Sequence, residues 1–265
     1  VRQTLKLIKK ELPELKLLKI KSGTKVYDWT VPNEWNVKDA WIKDVNGKKI
    51  CEFKKNNLHL VGYSEPINKK ISLEKLKKNL HSLKKQPSAI PYITSYYKKN
   101  WGFCISENEK KKLKKGKYEV FIDSNFTIGS LDYGEIIIKG KSKKEIFLST
   151  NICHPSMGNN ELSGICVTTF IAKWVSSLKK TNYTYRIIFI PETIGAIAYL
   201  YFNLKKMKKN IIAGFNVVCI GDNYNYSYIP SRSGNTYSDD VAKHILKNTY
   251  TNYKTYTWLQ RGGDE

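Results

Sequence analysis

Three side chains that could bind a metal ion or move a proton follow three successive apolar segments of the chain. His154 follows the first segment, Glu192 follows the second and Asp222 follows the third. An imidazole and two carboxylates are ligands and bases suited to a hard or borderline divalent metal ion, zinc above all. The spacing of these residues therefore predicts a metal-dependent reactive site, provided that the fold brings the three side chains together.

The apolar segments alternate with amphipathic ones in a way that predicts such a fold. The predicted strands are 145–152, 185–190 and 211–220, and the predicted helices are 161–178, 193–204 and 238–248. Three strand–helix alternations with short connections are typical of an α/β protein with a doubly wound, mostly parallel sheet. Because open α/β sheets bind ligands beyond the carboxyl ends of their strands, we expect the three side chains to converge at one sheet edge.

Each of these residues also has a structural interpretation. His154 could be an ordinary loop histidine, and Glu192 could simply begin a helix, where a carboxylate complements the helix dipole. Asp222 could be a turn residue before Asn223, and Asn160 is a natural N-cap for the helix that follows it. Only the joint placement after three consecutive strands favours a functional site.

The first half of the chain does not show this alternation of strands and helices. A helix interrupted by Pro13 is predicted over 5–20, and a hairpin with a type I′ turn at Asn46–Gly47 is predicted over 40–53. Further strands are predicted at 58–63, 116–123 and 133–139, and a helix N-capped by Ser72 at 72–83. This β-rich region predicts a domain at 41–135, inserted into an α/β domain formed by 1–40 and 136–265.

The run 149–164 (STNICHPSMGNNELSG) resembles the metal-binding segment of the co-catalytic zinc aminopeptidases. It is more closely similar to a bacterial and archaeal aminopeptidase-like family of unassigned function. Eight other segments fit the same family: 28–32, 57–59, 62–66, 90–92, 96–97, 101–104, 191–195 and 261–265. The resemblance covers nearly the whole chain and implies a zinc-exopeptidase-like fold with an inserted β-rich domain.

The resemblance also implies roles for individual residues. His154 would be a ligand of one or two zinc ions, and Glu192 would be the general base that deprotonates a metal-bound water. Zinc lowers the pKa of a bound water toward neutrality, so a neighbouring carboxylate can take its proton. The resulting hydroxide would attack a peptide or amide carbonyl, which makes a peptide or an amide-containing small molecule the expected substrate.

Four departures from the family pattern weigh against this activity. Asn160 stands where the active peptidases have a bridging aspartate, and Thr193 stands where they have a second glutamate. Val218 lies near the position of their third carboxylate, so a ligand role for Asp222 rests on its position alone. The last metal histidine of the family lies in a segment beyond Glu265, so we expect the sequence to be an inactive fragment.

Three functions follow from these observations. The first is a metal-dependent hydrolase of a peptide or amide bond, and the second is a non-catalytic binding module that keeps the peptidase fold. The third is a nucleic-acid-associated regulator, suggested by the net charge of +23. Only Arg2, Arg186, Arg232 and Arg261 are arginines, whereas base and phosphate recognition favours arginine forks. Specific nucleic-acid binding is therefore not expected.

Composition supplies the remaining expectations. No segment reaches the roughly 18 apolar residues of a membrane-spanning helix, and the first residues lack an apolar signal core. A cytoplasmic location without a membrane partner is expected. The five cysteines include no pair with CxxC spacing, and Cys153, Cys166 and Cys219 are expected to be buried in a reducing compartment.

Overall fold

A computed structural model describes residues 1–95, 98–153, 158–250 and 252–261. The chain divides into two compact units. The first comprises 1–31 and 130–265, and the second comprises 32–129. The second unit begins nine residues and ends six residues before the predicted domain at 41–135.

The described residues form six α-helices, three short helices of other types and fifteen strands. The helices are α1 (Arg2–Glu11), α2 (Leu73–Lys77), α3 (Glu107–Lys111), α4 (Ser163–Ser177), α5 (Ile194–Asn210) and α6 (Tyr237–Thr249). The strands of the first unit are β1 (Lys16–Lys21), β2 (Lys25–Val26), β3 (Trp29–Thr30), β10 (Ser130–Ile138), β11 (Glu145–Asn151), β12 (Thr184–Ile190), β13 (Ile211–Asn216), β14 (Tyr226–Tyr228) and β15 (Tyr253–Thr255). Those of the second unit are β4 (Glu34–Lys43), β5 (Lys49–Ile50), β6 (Ile67–Ser72), β7 (Leu80–His81), β8 (Phe103–Cys104) and β9 (Lys117–Thr127).

A five-stranded sheet forms the centre of the first unit, with the strand order β1-β10-β12-β11-β13. Strands β12, β11 and β13 are parallel, as the alternating pattern predicts, whereas β1 and β10 are antiparallel to their neighbours. The sheet is therefore mixed, and its parallel part is the half that carries the candidate site. The boundary of the unit falls at Ser130 because β10 pairs with β1 from Ser130 to Glu135 and with β12 from Gly134 to Ile138.

The predicted helix over 5–20 is wrong in its second half. Helix α1 ends at Glu11, and residues 16–21 form strand β1. Pro13 explains the change because its ring clashes with the preceding helical turn and disfavours helical backbone at the residue before it. The leucines fit either structure, since Leu5, Ile8, Leu12 and Leu15 all reach the same buried cluster.

Helices cover both faces of this sheet. On one face, α1 and α4 pack on a cluster that includes Ile187 and Phe189 of β12. On the other face, α5 packs on a cluster that includes Ile188 and Ile190 of the same strand. Successive residues of β12 therefore enter opposite cores, which explains the continuous apolar run at 187–190. The predicted doubly wound architecture is confirmed.

A buried guanidinium ties three strands and one helix of this sheet together. Arg186 of β12 donates two hydrogen bonds to Glu145 of β11, at 2.6 and 3.1 Å, and one to Glu135 of β10 at 2.7 Å. Tyr199 of α5 donates to Glu135 at 2.6 Å, and Asn210 donates to Glu145 at 3.3 Å. Burial alone would raise the pKa of Glu145, but the hydrogen bonds and charge of Arg186 lower it overall.

Replacing Arg186 with Met should destabilise the first unit by about 3–5 kcal/mol, because Glu145 and Glu135 would lose their buried cation. Urea denaturation at neutral pH measures the change. Arg2→Met is the matched control, since Arg2 pairs with Asp132 while its own side chain is half exposed. That change should cost about 1 kcal/mol or less. Equal losses in the two variants would contradict the role given to the buried network.

The second unit is built on a four-stranded sheet with the order β5-β4-β9-β6, in which all pairs are antiparallel. The predicted hairpin is present as β4 and β5, but its turn is not of type I′. Within the loop 44–48, only Gly47 has a positive φ, of 78°. Asp44 accepts hydrogen bonds from the backbone N–H groups of Asn46 and Lys48. A capped five-residue loop replaces the two-residue turn.

Two other predictions for this region need correction. The strand predicted at 58–63 is a short 3-10 helix, Asn57–His59, followed by isolated bridges at Leu60 and Gly62. The helix predicted at 72–83 is shorter, since α2 ends at Lys77, although Ser72 caps it as expected. Both segments contribute leucines to one core that includes Leu60, Leu73 and Leu76.

A buried aspartate organises the last described part of the first unit. Asp239 is 2% exposed and accepts five hydrogen bonds, from the hydroxyls of Tyr228, Ser231 and Thr236 and from the backbone N–H groups of Ser231 and Thr236. Burial raises the pKa of this carboxyl, but the hydrogen bonds outweigh burial and hold it well below its usual value. The same contacts form a capping box at the start of α6.

Asp239→Asn should destabilise the protein most at neutral pH, because the native state favours the charged carboxylate. A lowered native pKa adds stability above the unfolded value of about 3.9 and loses it as the pH falls toward the native value. The difference in unfolding free energy between wild type and variant should therefore shrink below about pH 4. Denaturation curves across this range measure it, and a difference independent of pH would contradict the expectation.

The described helices include none that combines the length and apolar character needed to cross a bilayer.

Candidate functional site

The carboxyl ends of β11, β12 and β13 meet at one edge of the sheet, because the three strands are parallel. Glu192 lies two residues after the end of β12, as predicted. Strand β13 ends at Asn216, earlier than expected, so Asp222 lies within the nine-residue loop 217–225, six residues after the strand. His154 falls within 154–157, outside the described residues.

Cys153 connects the ends of β11 and β12. Its sulfur accepts a hydrogen bond from the backbone N–H of Glu192 at 2.8 Å, and its own N–H donates to the carboxylate of Glu161 at 2.7 Å. Burial is the main cause that raises the pKa of the Cys153 thiol, and the charge of Glu161 adds to it. The thiol therefore stays protonated and holds the Glu192 backbone in place.

Glu161 lies at the candidate site, although its sequence context did not indicate it. The residue is 5% exposed and lies in the short π-helix Gly158–Leu162 just before α4. A buried carboxylate beside a strand end is a feature of functional sites, and a π-helix often marks one. The signal in the sequence was a single acidic residue between the asparagines and the apolar helix.

Thr193 holds a strained backbone conformation directly after Glu192. Its φ is 57° and its ψ is −71°, and the N–H of Ile194 donates to the carbonyl of Glu192 at 2.6 Å. This is a γ-turn with positive φ, which is rare and costs free energy for a β-branched residue. The turn lies between Glu192 and the start of helix α5 at Ile194.

Asn160 binds the loop that follows β13. Its side-chain amide donates to the sulfur of Cys219 at 3.5 Å, and its backbone carbonyl accepts from the N–H of Cys219 at 3.4 Å. It does not cap α4, whose N-cap position is Leu162. Cys219 has a positive φ of 53° and is exposed, as is Cys166, so the prediction that both are buried is wrong.

Asp222 takes part in a network with Asn159. One carboxylate oxygen accepts from the Asn159 amide at 3.1 Å, and the other accepts from the N–H of Tyr224 at 3.0 Å. Asn159 in turn accepts from the N–H of Gly221 at 2.7 Å. Asp222 is exposed and shapes the loop, which is the turn role weighed in the sequence analysis. The structure brings Asp222 to the π-helix through Asn159 rather than through Asn160.

Close backbone packing fixes the start of α4 against β13. A Cβ atom on Gly164 would lie far inside contact distance of the Val217 carbonyl and the Thr150 hydroxyl. Thr150 donates to that carbonyl at 2.8 Å, so strand β11 joins the same contact. The loops at the edge are thus built on a rigid base.

The described residues do not fit a zinc centre on their own. In the part of the chain that the structure describes, no group of three or more His, Cys, Asp or Glu side chains is placed to hold a metal ion. The amide nitrogen of Asn160 is turned to a sulfur, and both oxygens of Asp222 accept hydrogen bonds within the loop. Zinc favours anionic or imidazole ligands, so a neutral amide is a poor substitute for a bridging carboxylate.

The fold belongs to the class defined by the zinc aminopeptidases. The chain superposes on the zinc aminopeptidase BSAP from Bacillus subtilis with a TM-score of 0.68 at 12% identity, over 97% of this chain and 73% of that one. It superposes on a peptidase M28 precursor from Shewanella amazonensis with a TM-score of 0.63 at 10% identity, with the same coverage. At such low identities, these similarities establish the fold alone.

The chain belongs to the family described as domain of unknown function DUF4910, which matches residues 1–265. It is 45% identical to a Clostridium acetobutylicum protein provisionally named a polysaccharide biosynthesis protein with an aminopeptidase-like domain. A crystal structure from the same organism, provisionally named a peptidase, gives a TM-score of 0.91 at 44% identity over 99% of this chain and 62% of that one. The chain spans 60% of the length of the named relative.

Thr193→Gly should stabilise the protein by about 0.5–2 kcal/mol, because glycine relieves a positive-φ strain of about 1–3 kcal/mol but adds entropy to the unfolded chain. Thermal unfolding measures the change. Thr255→Gly is the control, since Thr255 lies in strand β15, where glycine should destabilise. A loss of stability in Thr193→Gly would mean that contacts of the threonine side chain outweigh the backbone strain.

Proposed function

We propose that the sheet edge formed by the ends of β11, β12 and β13 binds a peptide or another amide-containing ligand without a pair of zinc ions. The observation that carries this proposal is the set of contacts made by Asn160. Its neutral amide stands where the related peptidases have a bridging aspartate, and it is bonded to Cys219. The chain is then a binding module that keeps an aminopeptidase fold.

The charge at the edge supports this assignment. Two cations at a shared site need a bridging anion, and Asn160, Thr193 and Val218 together bring no negative charge to the positions where the resemblance expects three carboxylates. Without those three carboxylates, the charge of a buried metal pair would be left to Glu192 and Glu161, and Glu161 already accepts a hydrogen bond from the N–H of Cys153. A ligand that binds through hydrogen bonds and one carboxylate brings no pair of metal charges that must be compensated.

The groups that remain suit an amide ligand. Glu192 is half-buried at the strand end, and a carboxylate in this position can accept hydrogen bonds from the amino or amide N–H of a ligand. Its backbone is fixed by Cys153 and by the turn at Thr193. An acceptor that is held in place before the ligand arrives loses little entropy on binding.

A metal-dependent hydrolase acting on a peptide or amide bond is the second candidate. The aminopeptidase fold favours it, as does the position of Glu192, which the resemblance assigns as general base. In this candidate His154, Asn160 and Asp222 are the metal-site residues of this chain, and the specificity is that of an aminopeptidase or amidase.

Metal content separates the two candidates. Elemental analysis of protein purified without chelator should find well below one zinc per chain if the edge is a binding module. About one or more zinc per chain, lost in His154→Ala and kept in His244→Ala, would instead support the hydrolase. His244 lies exposed on α6 and is the matched control for removal of an imidazole.

Ligand binding tests the edge itself. Calorimetric titration with a set of dipeptides and dipeptide amides should detect binding, and Glu192→Gln should weaken it by about tenfold, since a hydrogen bond to a charged group contributes about 1.5–3 kcal/mol. Glu14→Gln is the control, because Glu14 is an exposed residue between α1 and β1. Equal binding in the wild type and Glu192→Gln would contradict the assignment of this edge.

Polyanion binding is proposed to be non-specific. The net charge of +23 comes almost entirely from lysine, which attracts phosphate backbones without reading their sequence. We therefore expect nucleic-acid binding to disappear at moderate salt. Sequence-dependent binding that survives physiological salt would favour a regulator instead.

A further inference from the structure

The four arginines stand out in a chain that has 46 basic residues. Two of them use the forked guanidinium against carboxylates: Arg2 binds Asp132 at 2.6 Å, and Arg186 binds Glu145. A guanidinium differs from an ammonium because it presents several donors in one plane. In a lysine-rich chain, an arginine therefore supplies a planar set of donors that the lysines do not.

The other two arginines meet at one tryptophan. The guanidinium carbon of Arg261 lies 3.5 Å from the centre of the Trp258 ring, and that of Arg232 lies 5.5 Å from it. Arg261 also donates to the backbone carbonyl of Trp258 at 3.1 Å. Two cations and one indole thus form a cluster, which we call the Arg–Trp cluster.

The fold supports both sides of the Arg–Trp cluster. Arg232 follows Ser231, whose backbone N–H and hydroxyl both bind the buried Asp239. On the other side, Trp258 begins a 3-10 turn that is closed by a capping box between Thr257 and Gln260. The parallel pairing of β14 with β15 joins the two segments. The segments that carry the two guanidiniums are therefore anchored by hydrogen bonds on both sides.

The cluster has an excess of positive charge. Within the described residues, the ion pairs made by arginine are those of Arg2 and Arg186, and none includes Arg232 or Arg261. A cation–π contact at an exposed site contributes only about 0.5–1 kcal/mol, which does not neutralise a charge. Two guanidiniums that both lie within 5.5 Å of one ring centre carry like charges, and an anion that contacts both would offset their repulsion.

The number of donors indicates which anion fits. A single guanidinium fork already satisfies the two oxygens of a carboxylate in a bidentate pair. Two forks on one ring offer more donors than a carboxylate can use, whereas a phosphate monoester has three terminal oxygens and nearly two negative charges. Ser233 adds a hydroxyl group on the Arg232 side, 3.4 Å from the hydroxyl of Ser231, whose own proton is donated to Asp239.

We propose that Arg232, Arg261 and Trp258 form a binding site for the phosphate group of a small phosphorylated molecule. Trp258 positions the guanidiniums, and the guanidiniums bind the phosphate oxygens. The site does not depend on whether the edge around Glu192 binds or cleaves an amide. It gives the protein a second recognition element, directed at an anion.

Calorimetric titration of the 265-residue chain with inorganic phosphate and pyrophosphate tests the proposal. Both should bind, pyrophosphate more tightly, and Arg232→Lys and Arg261→Lys should each weaken binding by about tenfold, because lysine keeps the charge but loses the fork. Arg2→Lys is the matched control and should bind as wild type does. Melting temperatures identify any variant that fails to fold, and Arg232→Gln then replaces it.

Three outcomes would overturn the proposal. No binding of phosphate or pyrophosphate at millimolar concentration would exclude the site. Equal loss in Arg2→Lys would show that the anion binds to the basic surface in general. Acetate binding as tightly as phosphate would show that the site takes carboxylates. None of these results bears on the peptide titration with Glu192→Gln, so the two proposals fail separately.

Discussion

The buried guanidinium of Arg186 constrains the rest of the first unit. A charge that is 1% exposed must be compensated within the protein, and here the compensation comes from Glu145 and Glu135 on the two neighbouring strands. The contacts fix which strands lie beside β12, because any other neighbour would leave the charge unpaired. Tyr199 extends the same constraint to helix α5.

This network lies toward the beginning of β11 and β12, whereas the candidate site lies beyond their carboxyl ends. Glu145 is the first residue of β11, and Cys153 comes two residues after its last. Contacts near the beginning of these strands therefore fix the strand order. Residues beyond the carboxyl ends can be substituted without disturbing those contacts. Asn160 and Thr193 are such residues, since each participates in a well-formed local structure despite the departure from the related peptidases.

Much of the first unit could be predicted from local pattern. The runs that became β11, β12 and β13 are apolar enough to be buried on both faces, and the helices between them have the spacing of amphipathic segments. Strand β1 is not predicted because the helical apolar spacing of Leu5, Ile8, Leu12 and Leu15 extends the expected helix to residue 20. Its pairing with β10, more than a hundred residues away, decides the outcome, and no local pattern reports such a contact.

The candidate site was predictable in position but not in detail. Placing Glu192 at a strand end required only the order of the elements. The hydrogen bond from Glu192 to Cys153, the burial of Glu161 and the pairing of Asn160 with Cys219 each depend on how loops fold against one another. The exposure of Cys166 shows the same limit, because an apolar run does not reveal which face of a helix the core covers.

The two outer strands of the five-stranded sheet differ in character. Strand β1 carries lysines at 16, 19 and 21, and charged side chains of this kind discourage another strand from pairing with an edge. Strand β13, with the sequence IIAGFN, carries no charge and, among the described residues, pairs in the sheet only with β11. The charges of β1 thus disfavour pairing of a further strand at that edge, whereas the uncharged β13 does not. A strand added beside β13 would move the contact between Asn160 and Cys219 from the margin of the sheet toward its middle, whereas Glu192 follows β12, the central strand of the five.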